Sequence, residues 1–137
     1  MNVLILLLLF NYCSSANIED KQDECDKGEV FDEFYRKFHT DSSFQLSRID
    51  FPLKGYKRTG NENPDINDGK YYWKKKNWIV HKKFDLDDNS IYKQDKVFKD
   101  TLVVDKIYIE NSGFSIERHF KLIDCKWKLV YYSEIDL

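Results

Sequence analysis

The sequence predicts an α+β domain in which N-terminal helices pack on a mostly antiparallel sheet. Two observations support this prediction. Residues 30–41, VFDEFYRKFHTD, place apolar side chains at the three- and four-residue spacing of an amphipathic helix. Residues 101–135 contain three strand-like segments separated by two short turns, which is typical of antiparallel hairpins.

The first helix is predicted to bury one aromatic face and to expose one charged face. The buried face consists of Phe31, Phe34, Tyr35 and Phe38, and the exposed face consists of Asp32, Glu33, Arg36 and Lys37.

A short second helix, an extended segment and a loop follow the first helix. Asp41 or Ser42 is a suitable N-cap for the second helix. Pro52 disfavours the α conformation in the residue before it and is typical of an edge strand. Residues 57–70 are rich in turn-forming residues and predict a surface loop. The pattern of residues 78–84 does not distinguish a strand from a short helix.

The three C-terminal segments can be placed in register from their turns. A turn at Asn111-Ser112 pairs Val103 with Phe120, Ile107 with Ile116, Ile109 with Phe114, and Asp105 with Arg118. A turn at Asp124-Cys125 pairs Phe120 with Leu129 and Leu122 with Trp127, and it makes Tyr131 the neighbour of Arg118. Asp105, Arg118 and Tyr131 are thus predicted to form a polar trio on an apolar face.

The opposite face of these strands is predicted to be hydrated. It carries Lys106, Glu117, His119, Lys121, Lys128 and Glu134. Val104, Tyr108, Val130 and Tyr132 on the same face could support a homodimer contact.

The N-terminus predicts export. Val3 to Phe10 is continuously apolar but is much shorter than the roughly 20 residues of a membrane-spanning helix. Residues 1–16 are therefore interpreted as a signal peptide or lipoprotein leader, and residues 17–27 as an acidic tether. Cleavage before Cys13 would allow a lipid anchor in the cell envelope, periplasmic or on the outer surface. Cleavage after Ala16 would instead produce a secreted protein.

Composition is consistent with a single α+β domain at residues 28–137. The net charge is −2, but the first 25 residues contain four acidic residues and one lysine, so the remainder is close to neutral. This balance gives no reason to expect a nucleic-acid partner.

Two cysteines remain once Cys13 is removed or lipidated. Cys25 and Cys125 can form a disulfide in an oxidising compartment, although two separate buried thiols are equally compatible with the sequence.

The chain resembles a family of exported Bacteroidetes proteins, domain of unknown function 4348. The resemblance lies in the run FDEFYRKFHTDSSFQLSRIDFPLKG, which stands between a lipoprotein-like leader and a β-rich end, WKLVYYSE. That family resembles the nuclear transport factor 2-like superfamily. The resemblance implies N-terminal helices packed into a strongly curved sheet that forms a cone. It implies no chemistry, because the superfamily contains binding modules, scaffolds, dehydratases and isomerases.

Local motifs predict neither a metal site nor a cofactor. The FDLDDNS segment resembles the start of a calcium-binding loop but has Ser90 where Gly is needed and Lys96 where the last Glu should be. His39, His81 and His119 are too scattered to predict a metal site. The lysines and aromatic residues of YYWKKKNWIVHKK are interpreted as a solvated face with aromatic residues packed behind it.

Three functions are compatible with the polar trio. It can be a satisfied structural network that sets strand register. It can line a pocket in which Arg118 binds a carboxylate, a sulfate or an acidic sugar. It can also serve a small isomerase or dehydratase, with Asp105 or His81 as general base and Tyr131 as proton donor. A non-catalytic module is preferred, because the positive charge of Arg118 beside Asp105 would stabilise the carboxylate and make it a weaker base.

Overall fold

The computed structural model describes residues 28–60, 70–83 and 90–137 of the chain. Several predictions lie outside these residues: the leader and tether with Cys13 and Cys25, residues 61–69 of the predicted loop, and residues 84–89 of the FDLDDNS segment. The loop predicted at 57–70 is too long at both ends, because residues 57–59 and residue 70 belong to strands.

Two helices open the domain, as the sequence predicts. Helix α1 spans Phe31–Thr40 and helix α2 spans Ser42–Ser47. The Asp41 carboxylate accepts a hydrogen bond from the Phe44 amide at 2.9 Å, so Asp41 is the N-cap of α2. A 3₁₀ turn at Lys75–Asn77 is the remaining helical element of the described residues.

Six strands form one mixed sheet with the order β2-β1-β6-β5-β4-β3. The strands are β1 (Leu53–Thr59), β2 (Lys70–Trp73), β3 (Tyr92–Lys99), β4 (Leu102–Ile109), β5 (Ser115–Ile123) and β6 (Lys126–Asp136). Strands β1 and β6 are parallel, and all other neighbours are antiparallel. The α+β class is therefore confirmed.

Proline 52 does not mark an edge strand, which corrects the prediction from the sequence. Pro52 lies immediately before β1, and β1 is an inner strand between β2 and β6. The missing amide of Pro52 thus costs the sheet no hydrogen bond, because the ladder begins one residue later. Residues 78–83 form neither a strand nor a helix.

The predicted register between β4 and β5 is confirmed, with Asp105 opposite Arg118. The turn between β5 and β6 is also at the predicted place. Asp124 and Cys125 have φ values of 47° and 59°, as expected for the two central residues of a type I′ hairpin.

The predicted pairing of Arg118 with Tyr131 is wrong. A bulge lies between His119 and Phe120, so that Phe120 pairs with Leu129 but His119 pairs with Tyr131. Because β6 has one additional residue at the bulge, every later side chain of β6 lies on the face opposite to the predicted one. Arg118 therefore pairs with Tyr132, which is buried in the core and cannot belong to the predicted dimer surface.

The core lies between α1 and the sheet and is dominated by aromatic rings. Phe34 and Phe38 are almost fully buried, and both rings contact Phe120 with centroid distances of 5.5 and 5.3 Å. The aromatic stripe of α1 thus covers the face of the sheet that also carries Asp105 and Arg118. Among the described residues, no helix is long and apolar enough to cross a membrane.

Candidate functional site

Asp105 and Arg118 form a buried ion pair at the centre of the sheet. Strands β4 and β5 place the two residues directly opposite each other, and the Arg118 Nη2 to Asp105 Oδ2 distance is 2.8 Å. The side chains are 0% and 1% exposed. A pair so deeply buried needs further hydrogen bonds from its surroundings to offset the lost hydration of the two charges.

Helix α1 and strand β3 supply those partners. The Tyr35 hydroxyl donates to Asp105 Oδ2 at 2.9 Å, and Gln94 Nε2 donates to Asp105 Oδ1 at 2.6 Å. Gln94 Nε2 also lies 2.9 Å from the Tyr35 hydroxyl oxygen. Both carboxylate oxygens of Asp105 are therefore satisfied inside the protein.

His39 completes the contacts of Arg118 and has a defined tautomer. Its Nδ1 lies 2.8 Å from the Tyr35 carbonyl oxygen, which can only accept, so Nδ1 carries the proton. Its Nε2 lies 2.7 Å from Arg118 Nη1 and must accept from it. Burial and then the Arg118 charge lower the pKa of His39 to about 4, so the imidazole is neutral near pH 7.

Tyr35 is also held in its uncharged form. Burial raises the pKa of the Tyr35 hydroxyl far above its ordinary value of 10.0, although the positive charge of Arg118 opposes this. We call five residues the polar network: Tyr35, His39, Gln94, Asp105 and Arg118.

Tyr131 does not belong to the polar network. Its ring packs on His119, with a centroid distance of 4.6 Å, on the face of the sheet away from the core. Tyr132 occupies the inward position that was predicted for Tyr131, but it contacts Trp73, Trp78 and His81 rather than Asp105.

His81 lies on the core side of the sheet, packed against Trp78 and Tyr132. The side chain of Gln45 fixes its backbone, donating to the His81 carbonyl at 2.8 Å and accepting from the His81 amide at 2.8 Å. Burial and then the Arg118 charge lower the pKa of His81 to about 3. His81 Nδ1 and Arg118 Nε are buried without a hydrogen-bond partner.

A surface cleft of about 240 Å³ lies directly outside the polar network. Lys83 and Lys96 form one side of the cleft, and helix α1 forms the other side with Asp32, Tyr35, Arg36, His39 and Thr40. The Lys96 ammonium lies 3.8 Å from the centroid of the Tyr35 ring, which is the geometry of a cation–π contact. This set of residues is called the Tyr35 cleft.

The sequence prediction brought Asp105 and Arg118 together but missed the other members of the network. The sequence pattern identifies His39 only as one of three scattered histidines, and it does not predict the strand that contains Gln94. One usable signal was present, because Tyr35 and His39 are four residues apart and therefore share one face of α1. Within the described ranges, no group of His, Cys, Asp and Glu could hold a metal ion.

Solved structures with a similar fold come from Bacteroides species. A nuclear transport factor 2-like protein from Bacteroides fragilis is 22% identical, with a TM-score of 0.56, over 82% of this chain and 49% of that chain. A cystatin-like protein from Bacteroides caccae is 22% identical, with a TM-score of 0.58, over 80% of this chain and 78% of that chain. A Bacteroides uniformis protein is 19% identical, with a TM-score of 0.53, over 80% of this chain and 77% of that chain. The chain thus spans about half the length of the B. fragilis protein.

A comparison with curated proteins gives no significant match. A protein-family model matches residues 29–136 and so includes nearly the whole α+β domain. The chain therefore belongs to the family of that model, and its domain has the nuclear transport factor 2-like fold.

Proposed function

We propose that the domain is a non-catalytic module that binds a small ligand in the Tyr35 cleft. The observation that carries the proposal is that the cleft is open to solvent, while the Asp105 oxygens, the Tyr35 hydroxyl and both His39 nitrogens beneath it are already hydrogen-bonded. A cavity of about 240 Å³ is smaller than a typical drug-binding pocket and suits a ligand of the size of a monosaccharide or a small organic acid.

The enzyme alternative finds little support in the same geometry. A general base needs a free lone pair and a suitable pKa, but the Asp105 oxygens and both His39 nitrogens are engaged inside the protein. The Tyr35 hydroxyl is bonded to Asp105, and its raised pKa makes it a weak acid. His81 keeps one unpaired nitrogen, but its pKa of about 3 makes it a weak base.

Binding can be tested with a pair of tryptophan variants. Thr40 lines the Tyr35 cleft, so Thr40→Trp should fill it, whereas Ser43→Trp places the same ring on the exposed surface of α2. A nuclear magnetic resonance screen of neutral and charged small molecules should give shifts at Tyr35 and His39 in the wild type and in Ser43→Trp. Thr40→Trp should lose them, and a screen in which no compound shifts either residue would contradict the proposal.

We further propose that the module is a lipoprotein of the cell envelope, within the exported family described as domain of unknown function 4348. The apolar run that ends at Cys13 and the acidic tether after it support this proposal. Labelled palmitate should enter the wild type but not Cys13→Ala. A soluble mature protein that begins at Asn17 would instead identify Ala16 as the cleavage site.

A further inference from the structure

We propose that the Tyr35 cleft selects ligands that carry a carboxylate or sulfate group. This inference rests on the proposed binding function and adds the chemical class of the ligand.

The cleft has an excess of positive charge. Arg36, Lys83 and Lys96 line it together with one acidic residue, Asp32, while His39 is neutral. Within the part of the chain that the structure describes, none of these three cations is in an ion pair. Cations that share a concave surface without paired anions attract an anionic ligand.

The neutral polar groups of the cleft are already committed to the protein. The Tyr35 hydroxyl and both His39 nitrogens are bonded within the polar network. The Thr40 hydroxyl donates to the Arg36 carbonyl oxygen at 3.0 Å. A neutral ligand would thus find few polar partners in the cleft, whereas an anion would find three cationic side chains.

Lys96 is the cation whose position is best defined. It lies opposite Asp105 in the β3–β4 ladder, so its side chain projects from the core face of β3. The Tyr35 ring fixes one side of its ammonium group. An anion that approaches from the cleft can bond to the remaining ammonium protons without competing with the ring.

The test compares glucuronate with glucose, because the two sugars differ in a carboxylate that replaces a hydroxymethyl group. Glucuronate should shift the Tyr35 ring and the Lys96 ammonium resonances and bind at least about tenfold more tightly than glucose. Lys96→Met should weaken the binding of glucuronate by about fivefold. Lys93→Met is the matched control, because Lys93 lies on the same strand with its side chain on the opposite face, and it should change the affinity by less than about twofold.

Succinate distinguishes a small organic acid from an acidic sugar as the source of the anionic group. Similar affinity for succinate and glucuronate would support recognition of the carboxylate itself, and tighter binding of glucuronate would support an acidic sugar. Equal binding of glucose and glucuronate at the cleft would overturn the anion inference and leave the proposed binding function standing. A complete lack of shifts at Tyr35 and His39 with neutral and anionic probes would overturn both.

Discussion

Arg118 is a buried cation whose partners all lie inside the protein. Its side chain is 1% exposed, and it contacts Asp105, His39 and Tyr35 through its two terminal nitrogens. A buried ion pair contributes little when both charges are present, because the loss of hydration offsets the attraction between them. Removing one partner is costly, because it leaves the other charge buried and unpaired.

We expect Arg118→Leu to lower the free energy of unfolding by about 3–5 kcal/mol, since Asp105 then lacks its cation. The double variant with Asp105→Leu should recover much of this loss. Chemical denaturation measures both values. Lys128→Met is the control, because the exposed Lys128–Asp50 pair should contribute less than about 1 kcal/mol. A similarly small effect of Arg118→Leu would show that water reaches Asp105.

His39 makes the stability of the protein depend on pH. Its pKa is lowered from 6.5 to about 4 in the folded chain, so the unfolded chain binds the proton first as the pH falls. The contribution is therefore fully present above pH 6.5 and is lost between pH 6.5 and 4. A shift of this size corresponds to roughly 3 kcal/mol.

We expect the free energy of unfolding to fall between pH 6.5 and 4, and His39→Gln to make this fall smaller. The His39 resonances of the wild type should titrate near pH 4. A titration midpoint near 6.5 would mean that the imidazole is hydrated and does not accept from Arg118.

At the scale of the elements, helix α1 connects the core to the candidate site. Its Phe34 and Phe38 side chains pack on Phe120, while Tyr35 and His39 reach the polar network and the Tyr35 cleft. The position of the cleft thus depends on the aromatic contacts that hold α1 on the sheet.

We expect Phe34→Ala to lower the free energy of unfolding by about 3–5 kcal/mol, because it leaves a cavity between α1 and β5. Phe98→Ala removes the same side chain from a position that is 60% exposed and should cost about 1 kcal/mol. Thermal and denaturant unfolding of the two variants give the comparison. Equal losses would show that α1 is not anchored through Phe34.

At the scale of the whole molecule, Cys125 connects the sheet to another part of the chain. Cys125 is disulfide-bonded and lies in the turn between β5 and β6. Cys25 is outside the described residues, so its pairing with Cys125 stays a prediction. A bridge between residues so distant in sequence would restrict the unfolded chain and stabilise the domain by up to about 4–5 kcal/mol in the chain-entropy model.

We expect mass spectrometry of the unreduced exported protein to identify a Cys25–Cys125 peptide pair. Two alkylatable thiols after denaturation without reductant would contradict this pairing. The Cys25→Ser variant is the control, because no cross-linked peptide that contains residue 25 should be detected in it.

The sequence by itself determined the elements whose signals are local. The aromatic spacing of α1 follows from helical periodicity, and the facing of Asp105 and Arg118 follows from a short turn and the alternation of side chains along a strand. The α+β class and the buried ion pair were predictable for this reason. The β6 bulge was not predictable, because one extra residue changes which face the following side chains occupy but leaves no distinct signal in the amino-acid composition.

Only the tertiary structure decided the composition of the site. Tyr35 and His39 come from α1, Gln94 from β3 and Lys83 from an irregular segment, and these residues meet only when the helix packs across the sheet. Tyr132 rather than Tyr131 faces the core because the bulge shifts the register after Leu129. The physical reason is that a buried polar group needs a hydrogen-bond partner, and here that partner comes from a distant segment of the chain. Side-chain pairing between distant segments leaves no periodic pattern in the sequence.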